Sequence, residues 1–498
     1  MASGWACACL ACIAFPAAAQ SDAISSGTIA GGGGTSSGGG YSITDTIGQA
    51  VVGEMTGGGF VLTSGSPAPL PNNAGVTNLY AVTNLMGSGP GSLSNVLTNA
   101  PPGASITFSA NLNGTISLTS PLLINKDLNI SGPSAGSTNA VVLSGGGQRQ
   151  VFNLIGGNVS ICNLGIANGF NATNGGGVFN CAVANFCNCT FSNHQATGKG
   201  GAVYNCGGAS VSFNNCTFVG CSSQSGGGAL DSFGTAGLTN CTIASNTVTA
   251  GDGGGLSAEP GSSLSLNSCT VCGNTALSGG GIYDASGQLM IQNTIVAGNT
   301  IVHGGHGPDI WNNAGPSLSG GFNLIGADDA SSGWSQGLND QFGTSTAPIY
   351  PLLARLQNYD GPTPTMALLP GSPAIDTGLF AAPNLYTDQR GYGRWVSVLS
   401  LPSPPGDSSD IGAFEVQPGY DVTEPPGLQI QQSGADIFVI WPVIAKAYTL
   451  EVTATIASPK SWQPAVGTFD TFKDDSGTTY NRYLTPGGPA AFYRLRAP

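Results

Sequence analysis

From Asn158 to Asn299 the chain repeats one phrase of apolar and polar positions. An Asn-Cys-Thr-apolar step leads into a polar run, a Gly-Gly-Gly step, and an apolar pair ending in Asn or Asp. The first step reads Asn188-Cys189-Thr190-Phe191, Asn215-Cys216-Thr217-Phe218, Asn240-Cys241-Thr242-Ile243 and Ser268-Cys269-Thr270-Val271, and Gln292-Asn293-Thr294-Ile295 closes the series without the Cys. The Thr positions 190, 217, 242, 270 and 294 are spaced 27, 25, 28 and 24. A second register, Asn180, Asn205, Asp231, Ala258 and Asp284, is spaced 25, 26, 27 and 26. Two registers with one common period mark a structural repeat.

Within each unit, apolar or β-branched runs of three to five residues are broken by Gly, Asn and Ser. That is strand-and-turn patterning, and Gly and Asn interrupt any 3.6-residue stripe. A propeller blade needs about 40 residues, whereas about 26 suit one turn of a parallel β-helix with three short strands and three bends. Turns then stack about 4.8 Å apart, strand over strand. Equivalent residues superpose, so Cys189, Cys216, Cys241 and Cys269 should form an inward stack. The Asn/Asp register should form an amide ladder at a bend, placing Asp231 and Asp284 two coils apart, roughly 10 Å.

The flanks follow the same grammar less regularly. Short strands are expected at Tyr41–Thr44, Ile47–Gly53 and Gly59–Leu62 inside a Gly- and Ser-rich segment, 21–70, that ends in a linker. The β-helix is expected over 71–417. Ser92 to Ala100 carries Leu93, Val96 and Leu97 at helical spacing, which suits a short helix blunting the first open coil. After a Pro-rich linker, residues 428–498 contain longer alternating strands, predicting a small C-terminal antiparallel β-sandwich.

Composition narrows the partners. The 498 residues hold 12 Lys and Arg against 25 Asp and Glu, a net charge of −13. An acidic chain without a basic cluster is a poor ligand for nucleic acid or an anionic membrane. Residues 1–20 read as a secretory signal peptide, with an apolar stretch from Trp5 to Phe15 and Ala17-Ala18-Ala19 before Gln20. The rival reading is a lipoprotein signal modified at Cys12. No later run reaches the 18 apolar residues of a transmembrane helix.

Ten Cys remain after the signal, all between Cys162 and Cys272. Export permits disulfides between stacked coils, buried thiols acting as small hydrophobes are the favoured alternative, and zinc lacks a second properly spaced pair.

Longer phrases carry a resemblance. Gly89-Pro90-Gly91-Ser92-Leu93, Ile106-Thr107-Phe108 and Leu128-Asn129-Ile130-Ser131-Gly132-Pro133 precede the repeats. Phe322-Asn323-Leu324-Ile325-Gly326, Leu356 to Thr365, Leu369 to Asp376, Thr387-Asp388-Gln389-Arg390-Gly391 and Asp410 to Glu415 follow them. Over about residues 76–416 the chain resembles bacterial surface proteins of the choice-of-anchor Q type. The resemblance implies an all-β, right-handed parallel β-helix of the pectin-lyase-like kind, exported to the cell surface, and implies no particular reaction.

Candidate chemistry is sparse. Enzymes on such scaffolds need several carboxylates around Ca2+ with a Lys or Arg base, or a pair of acids for hydrolysis. Lys199, Asp231, Asp252 and Asp284 are the catalytic candidates if the chain is an enzyme, with Glu259 nearby in sequence. Lys199 and Asp252 precede Gly pairs two coils apart. The competing account of Asp231 and Asp284 is that Asp satisfies turn backbone at a bend. His303, His306 and Asp309 form the candidate metal site, against an ordinary exposed loop. His194 shares a register with Cys221, Asn246 and Asn274 and reads as a turn variant. Asp388, Arg390, Asp410 and Glu415 are expected to close the last coil through ion pairs.

The expected protein is therefore secreted or displayed at the cell surface, monomeric, non-enzymatic and without a cofactor, binding a polysaccharide or another surface as an adhesin does. The alternatives are a polysaccharide lyase, with Ca2+, or a glycoside hydrolase on the same scaffold, and a structural stalk presenting the C-terminal module.

Overall fold

The computed structural model describes residues 79–133, 140–302, 304–315, 317–328, 334–335, 337–379, 385–394, 396–397 and 406–418. It also describes strands and short segments within 34–64 and 429–496. The signal segment and His303 lie outside the described residues. The chain divides into two units, Met1–Asn73 and Ala74–Pro498. In the first, strands Gly34–Gly38, Tyr41–Asp45, Gly53–Gly57 and Phe60–Ser64 pair in sequence order as a four-stranded antiparallel sheet.

The second unit is built on a parallel β-helix. Three long parallel sheets of 11, 10 and 8 strands run through it, each strand pairing with its equivalents one repeat before and after. A fourth, six-stranded parallel sheet was not anticipated from the sequence. Its strands are only two residues long, from Phe170–Asn171 to Thr300–Ile301, too short to leave a period-2 signature. Among the described residues, no helix is long and apolar enough to cross a membrane.

The bends explain the Asn-Cys-Thr phrase. Asn188, Asn215, Asn240, Ser268 and Asn293 all adopt left-handed backbone, φ from 48° to 54°, a conformation Asn tolerates better than most side chains. Their side chains ladder between coils: Asn215 Nδ2 donates to Asn188 Oδ1 at 3.2 Å, and Asn188 Nδ2 to Asn163 Oδ1 at 3.0 Å. The left-handed step turns the next residue inward. Cys189, Cys216, Cys241 and Cys269 are fully buried and stack with Phe186, Phe191, Phe213 and Phe218 in one continuous core.

Those four Cys are free thiols, as are Cys221 and Cys272, whose burial pushes them up to about 12, so they act as packing groups. Disulfides form elsewhere, joining neighbouring coils at Cys162–Cys187 and Cys181–Cys206.

Both ends of the solenoid are closed by added structure. Helix Leu93–Asn99 is capped by Ser92 and buries Leu93, Val96 and Leu97 in the core. The tail does more than close the last coil, as the sequence suggested. It runs back along the outward Thr column of the 10-stranded sheet. Gln389 Nε2 donates to Thr217 Oγ1 and Thr363 Oγ1 at 2.9 Å, and Thr242 Oγ1 donates to Gln389 Oε1 at 2.6 Å. Arg394 Nη2 reaches Asn240 Oδ1 at 2.8 Å. The expected Arg390 ion pair is present with Asp388 at 2.6 Å, fully enclosed, with the guanidinium lying on Phe414.

Beyond the tail, two antiparallel sheets of four and three strands share a small core of Val439, Leu450, Ala465 and Tyr483. This is the expected C-terminal sandwich.

Candidate functional site

The eight-stranded sheet presents three adjacent columns of residues. Its central outward column runs Asn153, Phe179, Tyr204, Asp231, Ser257, Tyr283 and Trp311. On one side, at the bend before the strand, lie Lys199, Gly226 and Asp252, linked by parallel bridges. On the other side Phe233 and Glu259 follow the strand in successive coils, each donating its backbone N–H to the inward residue of the preceding coil.

This arrangement corrects the sequence register. Asp231 pairs with Tyr204 and Ser257, while Ser232 pairs with Asn205 and Ala258. The inward ladder is thus Asn180, Asn205, Ser232, Ala258 and Asp284, with Asn180 Nδ2 donating to Asn205 Oδ1 at 2.8 Å and Asn205 Nδ2 to Ser232 Oγ at 3.1 Å. A one-residue slip in a strand exchanges faces. Asp231 therefore leaves the bend ladder for the outer face, and Asp284 points to the other side of the sheet. Asp284 accepts the N–H groups of Ser286 and Gly287 at 2.9 and 3.2 Å, which is the turn-satisfying role. The two carboxyls do not converge.

Lys199, Asp231 and Glu259 do. The lysine chain crosses over Gly226, and its ammonium hydrogen-bonds Glu259 Oε1 and lies 3.8 Å from Asp231 Oδ2. It also sits 5.0 Å above the Phe233 ring. A Cβ on residue 226 would come within 2.7 Å of Asp231 Oδ2, so Gly at this place makes room for the carboxyl. Ser257 Oγ donates to Glu259 Oε1 at 3.3 Å. Both Asp231 oxygens are enclosed and, among the described residues, have no partner within hydrogen-bond geometry.

Burial pushes Asp231 well above the usual carboxylate range, against the pull of Lys199 and with Glu259 adding to the rise. Burial opposes the charge on Lys199, but Asp231 and Glu259 outweigh it and hold the ammonium above its ordinary value. Asp252 is raised by burial too, and its Oδ1 accepts the Ser278 N–H at 3.0 Å.

Aromatic rings flank this polar centre along the central column. Phe179 and Tyr204 stack at 5.4 Å with planes 14° apart. At the far end Trp311 stacks on His306 at 4.7 Å, 24° apart. Phe179, Tyr204, Tyr283 and Trp311 are all half-buried. The sequence had shown them as the middle residue of Val-Phe-Asn, Val-Tyr-Asn, Ile-Tyr-Asp and Ile-Trp-Asn, an outward position by strand alternation. Alternation of Val or Ile, an aromatic residue and Asn or Asp is the sequence signal that marks this column.

The metal candidates separate. His306 is exposed and occupied with Trp311, whereas Asp309 is buried. Asp309 accepts from Asn299 N and Nδ2 at 3.0 and 2.8 Å and from Ala327 N at 2.6 Å. It terminates the Asn246–Asn274–Asn299 ladder, and burial raises it to about 7. Among the described residues, no three His, Cys, Asp or Glu side chains converge as a metal site. His194 is a ladder member: its Nδ1 accepts the Gly169 N–H at 2.9 Å, and its Nε2 faces the Ile166 carbonyl oxygen at 2.9 Å. A shallow depression lined by Gly146, Gly147, Asn168, Gly169, Phe170, Asn193 and Gln195 contains no ionisable side chain.

No family model and no curated protein matches this chain. Among solved structures it is similar to pectate lyase Pel9A, with a TM-score of 0.42 and 14% identity over 68% of this chain and 96% of that one. It is also similar to the Geobacillus virus E2 ORF18 protein, with a TM-score of 0.21 and 12% identity over 90% and 82% of the two chains. At this level of likeness neither substrate nor chemistry passes to this chain.

Proposed function

We propose that the protein is a secreted or cell-surface glycan-binding protein of the choice-of-anchor Q type, and that the outer face of the eight-stranded sheet holds the glycan. The reading rests on the central column, where two aromatic pairs, Phe179/Tyr204 and Tyr283/Trp311, bracket two coils in which Asp231 and Ser257 are buried and Lys199 is part exposed. Tyr204 and Tyr283 lie three coils apart, about 14 Å, a span that suits a short run of sugar rings. Pyranose rings present flat C–H faces that pack on aromatic rings, while their hydroxyls need polar groups between the platforms. Half-buried rings provide area at low entropic cost.

A lyase or hydrolase reading would use the same Lys199, Asp231 and Asp252, with Ca2+ in the lyase case. Two features favour binding instead. Both Asp231 oxygens are sealed from solvent, and the Lys199 amine is committed to Glu259. A general acid or base needs hydrogen-bond reach to its substrate.

The test is incubation of the mature chain with a panel of soluble polysaccharides, with and without Ca2+. Retardation by a glycan without new reducing ends or ultraviolet-absorbing unsaturated product is expected. Either product would establish an enzyme.

A further inference from the structure

Resting on that glycan-binding reading, we infer that the face is built for an uncharged, hydroxyl-rich polysaccharide and excludes polyuronates and sulfated glycans.

The charge inventory carries this. Between Arg149 and Arg355 the sequence contains a single Lys or Arg, Lys199, so the coils bearing the aromatic platforms offer one cation. That cation is already bonded to Glu259 and shares its field with Asp231. Asp252 adds a further carboxyl on the same face, one coil beyond Gly226. A polyuronate or sulfated chain brings a negative charge on most sugar units. Binding one here would place those charges against carboxyls with no uncommitted cation to receive them, and like-charge contacts on a partly desolvated surface are unfavourable.

The polar groups of the face point the same way. The Asp231 oxygens are sealed from solvent and take no part, so the polar groups of the central column that a ligand reaches are the phenols of the half-buried Tyr204 and Tyr283. Sugar hydroxyls donate, whereas ionised carboxylates and sulfates only accept. Tyr204 keeps its phenolic proton, because burial and the neighbouring Asp231 raise it above its usual value. The face therefore offers two phenols, each able to donate and accept, among apolar ring surfaces.

The experiment is affinity electrophoresis of the full mature chain in gels containing a neutral β-glucan, polygalacturonate or a sulfated glycan. A chelator is present so that no divalent cation bridges anions to the protein, and each gel is run at low and high ionic strength. Retardation by the neutral glycan alone, changing by less than about twofold with salt, is the expected result. Retardation by either polyanion to an equal or greater degree would overturn the inference while leaving the glycan-binding reading standing. Retardation by none of the gels would overturn both.

Discussion

Lys199 reaches two coils along the solenoid to hydrogen-bond Glu259, and on the way its ammonium passes 3.8 Å from the enclosed Asp231. One side chain thus ties three successive coils on their outer face. Lys199→Met would leave Asp231, Asp252 and Glu259 together without a cation. It should cost about 1–2 kcal/mol at neutral pH, less than a fully buried pair because the lysine side chain is 29% exposed. The loss should depend on pH. A carboxyl whose folded pKa lies above its unfolded value binds more protons when folded, so stability is lost as pH rises. Asp231 is such a group. Thermal melts should show the Lys199→Met deficit shrinking from neutral pH toward pH 4, and a deficit that grows in acid would contradict the cluster as described.

Gly226→Ala tests the same contact from the backbone side. The added methyl would lie 2.7 Å from Asp231 Oδ2, a distance real Cβ atoms do not tolerate. The carboxyl must swing outward, at about 1–3 kcal/mol as in other overpacked sites. Melting temperature should fall, and the glycan affinity proposed above should fall with it, even though residue 226 contributes no side chain to the face.

His194 gives a second pH signature of opposite sign. Burial lowers it to about 4 from 6.5 while the Ile166 carbonyl contact works against that fall. The unfolded chain therefore binds more protons between those values, so stability falls as pH drops through the window. The contribution is roughly 3 kcal/mol. His194→Asn puts into this column the residue that stands at 246 and 274, and should remove that dependence. The difference between wild type and variant in stability at pH 7 and pH 4 checks it.

The architecture was legible in the sequence because its signals are local. Left-handed bends select Asn, inward steps select Cys and Phe, and the coil length recurs. The position of Asp231 was not legible, since Asp and Asn are interchangeable as bend residues but Ser232 proved to be the hydrogen-bond equivalent of Asn205. A single residue of slip moved the key carboxyl to the opposite face. The tail's course was also hidden. Gln389 and Thr242 lie 147 residues apart, and nothing in a one-dimensional pattern announces a contact of that range.

Gln389→Leu tests the tail. It would remove the donor to Thr217 and Thr363 and the acceptor for Thr242. A cost of about 1–3 kcal/mol follows from losing these buried hydrogen bonds while each hydroxyl keeps one other partner. Because the tail lies outside the coils, hydrogen exchange should rise first at residues 363–365 and 389–394, with the Cys-lined core protected. Uniform loss of protection would show instead that tail and coils unfold as one unit.

The central claim is that the aromatic column of the eight-stranded sheet holds glycan. Its most direct test is the dissociation constant of a retained neutral oligosaccharide, measured by titration calorimetry, for wild type, Tyr204→Ala, Trp311→Ala and Leu318→Ala. Leu318 is exposed on the 11-stranded sheet and controls for surface truncation. With folding confirmed by circular dichroism, each aromatic variant should weaken binding by about tenfold or more, and Leu318→Ala should leave it unchanged. Equal affinities for all four proteins would contradict the account.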